Sequence, residues 1–481
     1  MVAALVVGCV APPSRAQTSQ YWDINGSASG FGGTGTWDTV TPNWNDSTGT
    51  GTAAPWTNGN NAFFQGTAGT VTLTSGLNAS AWNVTVGGYT FTGGELSVGS
   101  GNIAISATNG TTSVSSLIQG TAALNKTEGG NLTLTNLNTY SGGTFFGTSS
   151  GSAAGTIALG SSSTGGPGSV ASSPVGTGTF TLRGTGTSSI VRSTDATART
   201  IDNAIAFAGS SVNITFGSST TGNLSFGGTA NLGSGTRTLA IANSVTTFGG
   251  AISGSGGLSK AGSGTLTFAG ATANTYTGKT LVSSGTLLLN KTAGVTAVSS
   301  TGASGADAAA TDLQITSGSV RLDASNQIAN TTKIGLSGGT LNLNGFSEGA
   351  AGTVGVGALT LSATSTIDFG AGAMSIIQFA ALGTHTAGTV LQLINWSGVA
   401  NTGGSGDRLL FSGSASDFTS RYQQSEVSFD GSMGYNTVQF ADFYEVTAAP
   451  EPSTYAAGLL AFLTIGYSKR QRVAQLLKRA S

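Results

Sequence analysis

Two stretches of the chain can be laid over one another: LNKTEGGNLTLTNLNTYSGGT, Leu124 to Thr144, and LSKAGSGTLTFAGATANTYTGKT, Leu258 to Thr280. Leu124, Lys126, Gly130, Leu132, Thr133 and Leu134 fall on Leu258, Lys260, Gly264, Leu266, Thr267 and Phe268. After a two-residue insertion, Asn138-Thr139-Tyr140 falls on Asn274-Thr275-Tyr276, and Gly142 and Thr144 on Gly278 and Thr280. Self-similarity of this kind points to stacked units rather than a closed globule. Within each unit, Leu132-Thr133-Leu134 and Leu266-Thr267-Phe268 alternate apolar and polar, which turns one face of a strand inward. Gly and Asn at the junctions supply positive φ for sharp corners.

Units of roughly 20 residues with this pattern wind into a parallel β-helix whose rungs pair at about 4.8 Å. The absence of proline from Val175 to Ala449 agrees, because proline cannot donate to a ladder. Composition agrees as well: Gly supplies 77 of 481 residues and charged residues only 8%, far from the roughly 25% of ordinary globular chains. Without the two ends the body carries twelve basic and eighteen acidic residues. A net charge of about −6 offers no electrostatic footprint for nucleic acid. The one cysteine, Cys9, leaves the body without an internal disulfide.

The repeat segments resemble the autotransporter-associated β-strand repeat. QTSQYWDINGS, GTWDTVTPNWND and WTNGNNAFF resemble the N-terminal region of such proteins, and GGTLNLNGFSEGA and LQLINWSG their C-terminal rungs. No autotransporter barrel pattern follows, so the resemblance implies only the passenger-like rod. The ends carry other signals. Val2 to Ala11 is an apolar segment of signal-peptide length, with small residues placed for cleavage after Ala16. No Lys or Arg precedes it, for which a start codon upstream is the simplest expectation; Val6-Val7-Gly8-Cys9 as a lipoprotein box is the competing reading.

Near the other end, Thr454 to Tyr467 gives 14 largely apolar residues. As a helix these span about 21 Å, short of the roughly 30 Å hydrocarbon core. Pro450, Glu451 and Pro452 precede this stretch, and Lys469, Arg470 and Arg472 follow it as a basic stop. The three-part order resembles the PEP-CTERM sorting signal. That resemblance implies an exosortase-type processing enzyme and the export machinery as partners. It also implies transient inner-membrane anchoring and delivery to the cell surface or extracellular matrix of a Gram-negative-type bacterium.

The expected fold is all-β: a right-handed parallel β-helix (β-solenoid) rod, plus a short C-terminal transmembrane helix. The expected organisation is a signal peptide over 1–16, a Trp-rich N-terminal β region or cap over 17–110 and the solenoid over 111–380. The solenoid holds repeats at 124–144 and 258–280 and a loosely ordered Gly/Ser-rich insertion at 147–176. A closing β cap over 381–447, the sorting signal over 450–472 and a cytoplasmic tail over 473–481 complete it.

Chemistry is sparse. Gly30 to Gly35, GFGGTG, fits the dinucleotide fingerprint, but no helix pattern follows it. Ser149 in GTSSG fits a nucleophile elbow, without a strand-to-helix change and with His385 as the chain's one histidine. His385 reads as an exposed turn residue. No zinc set and no calcium loop are present, and no cofactor is implied. Arg192, Asp195, Arg199 and Asp202 form the densest mixed-charge cluster, the strongest candidate for a β-helix polysaccharide-degrading enzyme; a solvated turn with paired charges explains it too. Trp22, Trp37, Trp44, Trp56 and Trp82 are either the filling of an N-terminal cap or, if exposed, a platform for extracellular polysaccharide. The function these features support is a non-enzymatic, exported structural or adhesin-like rod.

Overall fold

The computed structural model describes residues 17–26, 28–148, 153–184, 189–209, 211–299, 311–372 and 374–449. The chain divides into two compact units, Met1–Ile205 and Ala206–Ser481. The signal segment, the sorting tail with its expected membrane helix, and the cytoplasmic tail lie outside the described residues. Among the described residues no helix is long and apolar enough to cross a membrane.

The alternating pattern becomes parallel pairing in register, a β-solenoid of the right-handed type. In the first unit, Ile103 pairs with Trp82 on one side and Leu124 on the other, each a step of 21 residues. Every second residue of these strands points inward, so one buried apolar position stacks on the next. Leu132 and Leu134 lie inside, paired with Ile157 and Leu159. Gly155–Leu159 sits in the segment expected to be a loose insertion, yet it forms a fully buried strand. The Gly/Ser composition hid GTIAL, five residues with enough apolar side chain to complete a rung. Parallel pairing also begins early, between Ser19–Trp22 and Asn61–Phe64, well inside the Trp-rich region.

The start of this unit is closed by aromatic side chains. Trp44 packs on Trp22, Trp37 and Trp56 at centroid distances of 5.3, 5.0 and 4.6 Å. All four rings are at most 2% exposed, and Trp82 is 1% exposed against Phe91. The polysaccharide platform is therefore not formed by these rings. Bulky side chains instead fill the end of a narrow core that would otherwise open to water.

In the second unit, Leu266 and Phe268 pair with Leu287 and Leu289, again buried at a step of 21. The parallel ladder runs on to Ile377 beside Leu409. There the pattern changes: Phe443–Ala448 pairs antiparallel with Arg408–Ser412 and with Tyr435–Gln439. Antiparallel strands and the short helix Ala415–Arg421 cover a sheet edge that would otherwise template further pairing.

Candidate functional site

The residues shared by the two repeats occupy the same places. Lys126 is fully buried, and its Nζ donates to the carbonyls of Thr127, Glu128 and Ala154 at 2.5, 2.8 and 2.8 Å. Lys260, equally buried, donates to Ala261, Gly262 and Ser284 at 3.0, 2.8 and 3.0 Å. Three donors meet three acceptors, so each ammonium ties the carbonyls of one corner together. Burial pulls both lysines down to about 8. Buried lysine is rare unless paired, and strand alternation alone does not flag it; its recurrence in both repeats was the available signal.

Asn138 and Asn274 form a second recurrent device. The side-chain oxygen of each accepts the N–H of the previous rung, from Ile118 and Ile252, at 2.9 Å. The amide of each donates forward, to Pro174 at 2.8 Å and to Ala297 at 2.6 Å. Tyr140 and Tyr276 lie buried, with hydroxyls 2.6 and 2.8 Å from Thr144 and Thr280. Gly142 and Gly278 are close-approach sites: a Cβ would lie 2.5 and 2.3 Å from the carbonyl carbons of Ala122 and Gly256.

The same corner later carries a carboxyl. Glu348 is fully buried and accepts the N–H groups of Gln327 at 2.7 Å and Ile328 at 3.3 Å. Gln327 in turn accepts the N–H of Lys291 at 2.8 Å. Burial pushes Glu348 up to about 8, against the two backbone hydrogen bonds. At the closing end, Arg408 pairs with Glu445 at 2.7 Å, both largely buried. These groups are spent on the scaffold.

The candidates for catalysis separate. Arg199 pairs with Asp195 at 3.0 Å on an exposed turn. Hydrogen bonds from Thr197 hold the Asp195 carboxyl below its usual value. Arg192 donates instead to the carbonyl of Ser193 at 3.3 Å. Burial raises Asp202, and its backbone N–H donates to Ser163. Converging carboxylates with a facing cation are not assembled here. Gly30 to Gly35 leads into the strand Gly35–Trp37, not a helix.

His385 departs from its expected place in an exposed turn. It ends the strand Ile376–His385 opposite Leu361, which carries the strand into the LGTHTAG segment. Its side chain is 4% exposed, stacked on Tyr422 at 4.0 Å, with Nδ1 3.0 Å from the Arg421 carbonyl. Among the described residues no group of His, Cys, Asp and Glu could hold a metal ion. Ser149, Ala16, Pro450, Glu451, Pro452, Lys469, Arg470 and Arg472 lie outside the described residues.

Both recurrent segments have known relatives. Residues 124–147 and 258–289 match the Passenger-associated-transport-repeat family. Over 142 residues, 28% of this chain, the sequence is 39% identical to the Adhesin BmaC autotransporter of Brucella suis biovar 1 (strain 1330). The chain covers 4% of that relative's length. No solved structure matches. The lysines, asparagines and tyrosines described above lie inside the matched segments, while Ile118, Ala154, Pro174, Ile252 and Ala297, to which they bind, lie on neighbouring rungs outside them.

Proposed function

We propose that this protein is an exported, surface-associated β-solenoid of adhesin-like, non-enzymatic type, delivered through the tail from Pro450 to Arg472. The observation that carries the reading is the use of the repeat residues. Lys126, Lys260, Asn138 and Asn274 are buried and bind backbone, and the buried Tyr140 and Tyr276 meet the hydroxyls of Thr144 and Thr280. A repeat whose polar residues are consumed in holding rungs together makes a solenoid, and leaves its outer faces as the working surface. Similarity to a protein named as an autotransporter adhesin supports display outside the cell. The tail adds the means of delivery: Pro-Glu-Pro, a marginal apolar span and the Lys469, Arg470 and Arg472 stop suit a pause in the inner membrane before an exosortase-type enzyme acts. Extracellular polysaccharide is the partner class that fits a sparsely charged solenoid in a surface matrix.

Surface proteolysis and fractionation of the native host test this. Protease added to intact cells should remove the solenoid, and a deletion strain should lose attachment or matrix cohesion. A chain protected inside intact cells, or attachment unchanged by the deletion, refutes the reading.

A further inference from the structure

One outer face of the first unit has an order that the scaffold uses only in part. Five rungs present the same outward pair: TGT at 34–36, TVT at 70–72, TFT at 90–92, SVS at 113–115 and TLT at 133–135. The middle residues Val71, Phe91, Val114 and Leu134 are buried, so the flanking residues point out. Register aligns them. Thr36 faces Thr72, Thr70 and Thr72 face Thr90 and Thr92, Thr90 faces Ser113, and Ser113 faces Thr133. Backbone bonds carry the second column on, from Ser115 N–H to Phe91 at 2.8 Å and Thr135 N–H to Val114 at 3.1 Å. The result is two parallel columns of hydroxyls five rungs deep. It stops where Ala158 follows Thr133, with Arg192 on the rung after.

We propose that this array is a binding face for ice. Hydroxyls repeat at about 4.8 Å between rungs and about 6.6 Å along each strand, so the face is a two-dimensional lattice. Thr72, Thr90, Thr92 and Thr133 are half-buried or exposed, while Thr34 Oγ1 accepts the Thr70 N–H at 3.1 Å and the hydroxyls of Ser115 and Thr135 donate to the Phe91 and Val114 carbonyls at 3.2 and 3.4 Å. None of the fifteen positions in the five tripeptides is charged. Threonine, which fills eight of the ten outward positions, is stiff at χ1, so at those positions hydroxyl and methyl are fixed before any ligand arrives and ordering costs little. Alternating methyls restrict the water above them while the hydroxyls anchor it. A ligand that uses every position must itself repeat in two directions without charge, and a crystalline water lattice does. A crystalline glycan surface is the competing ligand. Sugar recognition draws on exposed aromatic faces, and the tryptophans of this unit are inside.

The full chain should partition into slowly grown ice several-fold above a non-binding control protein, and should facet single ice crystals. Thr72→Lys with Thr92→Lys places two ions in the centre of the array without touching the core, and should reduce partitioning to the control level. Ser97→Lys, on the neighbouring strand Glu95–Val98, should partition like the native chain. Exclusion of the native chain from ice overturns the proposal, as does equal partitioning of the double variant with a native circular dichroism spectrum. Exclusion from ice together with binding to crystalline cellulose or chitin that the double variant loses assigns the face to glycan and overturns it as well.

Discussion

Glu348 occupies a corner where the repeats place asparagine, and its carboxyl makes a stability term that runs against pH. The group is fully buried, and burial lifts it from 4.5 to about 8. A folded value above the unfolded one means the contribution is complete below pH 4.5 and is lost as pH rises toward 8. At about 1.36 kcal/mol per unit, the loss between pH 4.5 and 7 is about 3 kcal/mol. Glu348→Gln removes that term. It keeps an oxygen for the Gln327 N–H at 2.7 Å but turns an amide toward Ile328, whose contact is the longer one at 3.3 Å. Losing that acceptor costs about 1 kcal/mol. The variant should therefore be slightly less stable than the native chain at about pH 4.5 and more stable, by about 2 kcal/mol, at pH 7; the two curves cross near pH 5 to 6. Stacked rungs unfold in parts rather than as one unit, so the assay pairs urea midpoints with hydrogen exchange at the Gln327 and Ile328 amides across that range. Differences from the native chain cancel the titration of other groups. A difference that does not change with pH, or one that favours the native chain more strongly at high pH, refutes the reasoning.

Lys126→Met keeps the length of the stem but leaves the carbonyls of Thr127, Glu128 and Ala154 without their shared donor; a loss of about 2–4 kcal/mol in denaturant midpoint is expected, and a loss under about 0.5 kcal/mol would count against the corner role. Gly278→Ala places a Cβ 2.3 Å from the Gly256 carbonyl carbon, so rungs must separate, and thermal denaturation should show a drop of about 1–3 kcal/mol or more. Arg192→Ala, at an outward position of the strand Ser189–Ser193, and Asp195→Ala, on a solvated turn, should change neither folding nor any glycan turnover measured by reducing-end release; loss of a measurable turnover in either variant would restore the enzyme reading. Replacing Pro450-Glu451-Pro452 with alanines should trap the full-length chain in the membrane fraction, and mass spectrometry of native surface material should lack peptides through Ser481; intact tail peptides there would defeat the sorting reading.

What could be read from the sequence follows from which signals are local. Leu132-Thr133-Leu134 states its own inward face, because strand alternation has a fixed period of two, and both leucines are inside. Two matching segments state that rungs stack, because neither can bury its apolar face alone. The tryptophans could be read either way, since an aromatic ring suits a core or a sugar platform equally and only packing decides. GTIAL was concealed by its Gly- and Ser-rich neighbours, although five apolar-leaning residues suffice for a buried strand. The lysines were hidden for a different reason. An ammonium ordinarily marks the outside, and Lys126 and Lys260 lie inside because three carbonyls converge on each. That convergence comes from corners on successive rungs: Ala154 lies 28 residues from Lys126, and Ser284 lies 24 from Lys260. The threonine face is legible only after register is known. TVT, TFT and SVS are unremarkable strand tripeptides one at a time, and they become a lattice because Thr70, Thr90, Ser113 and Thr133 fall in one column. In a solenoid, then, the core is written within each rung, whereas any surface it presents is written across rungs, in the one coordinate a linear reading does not supply.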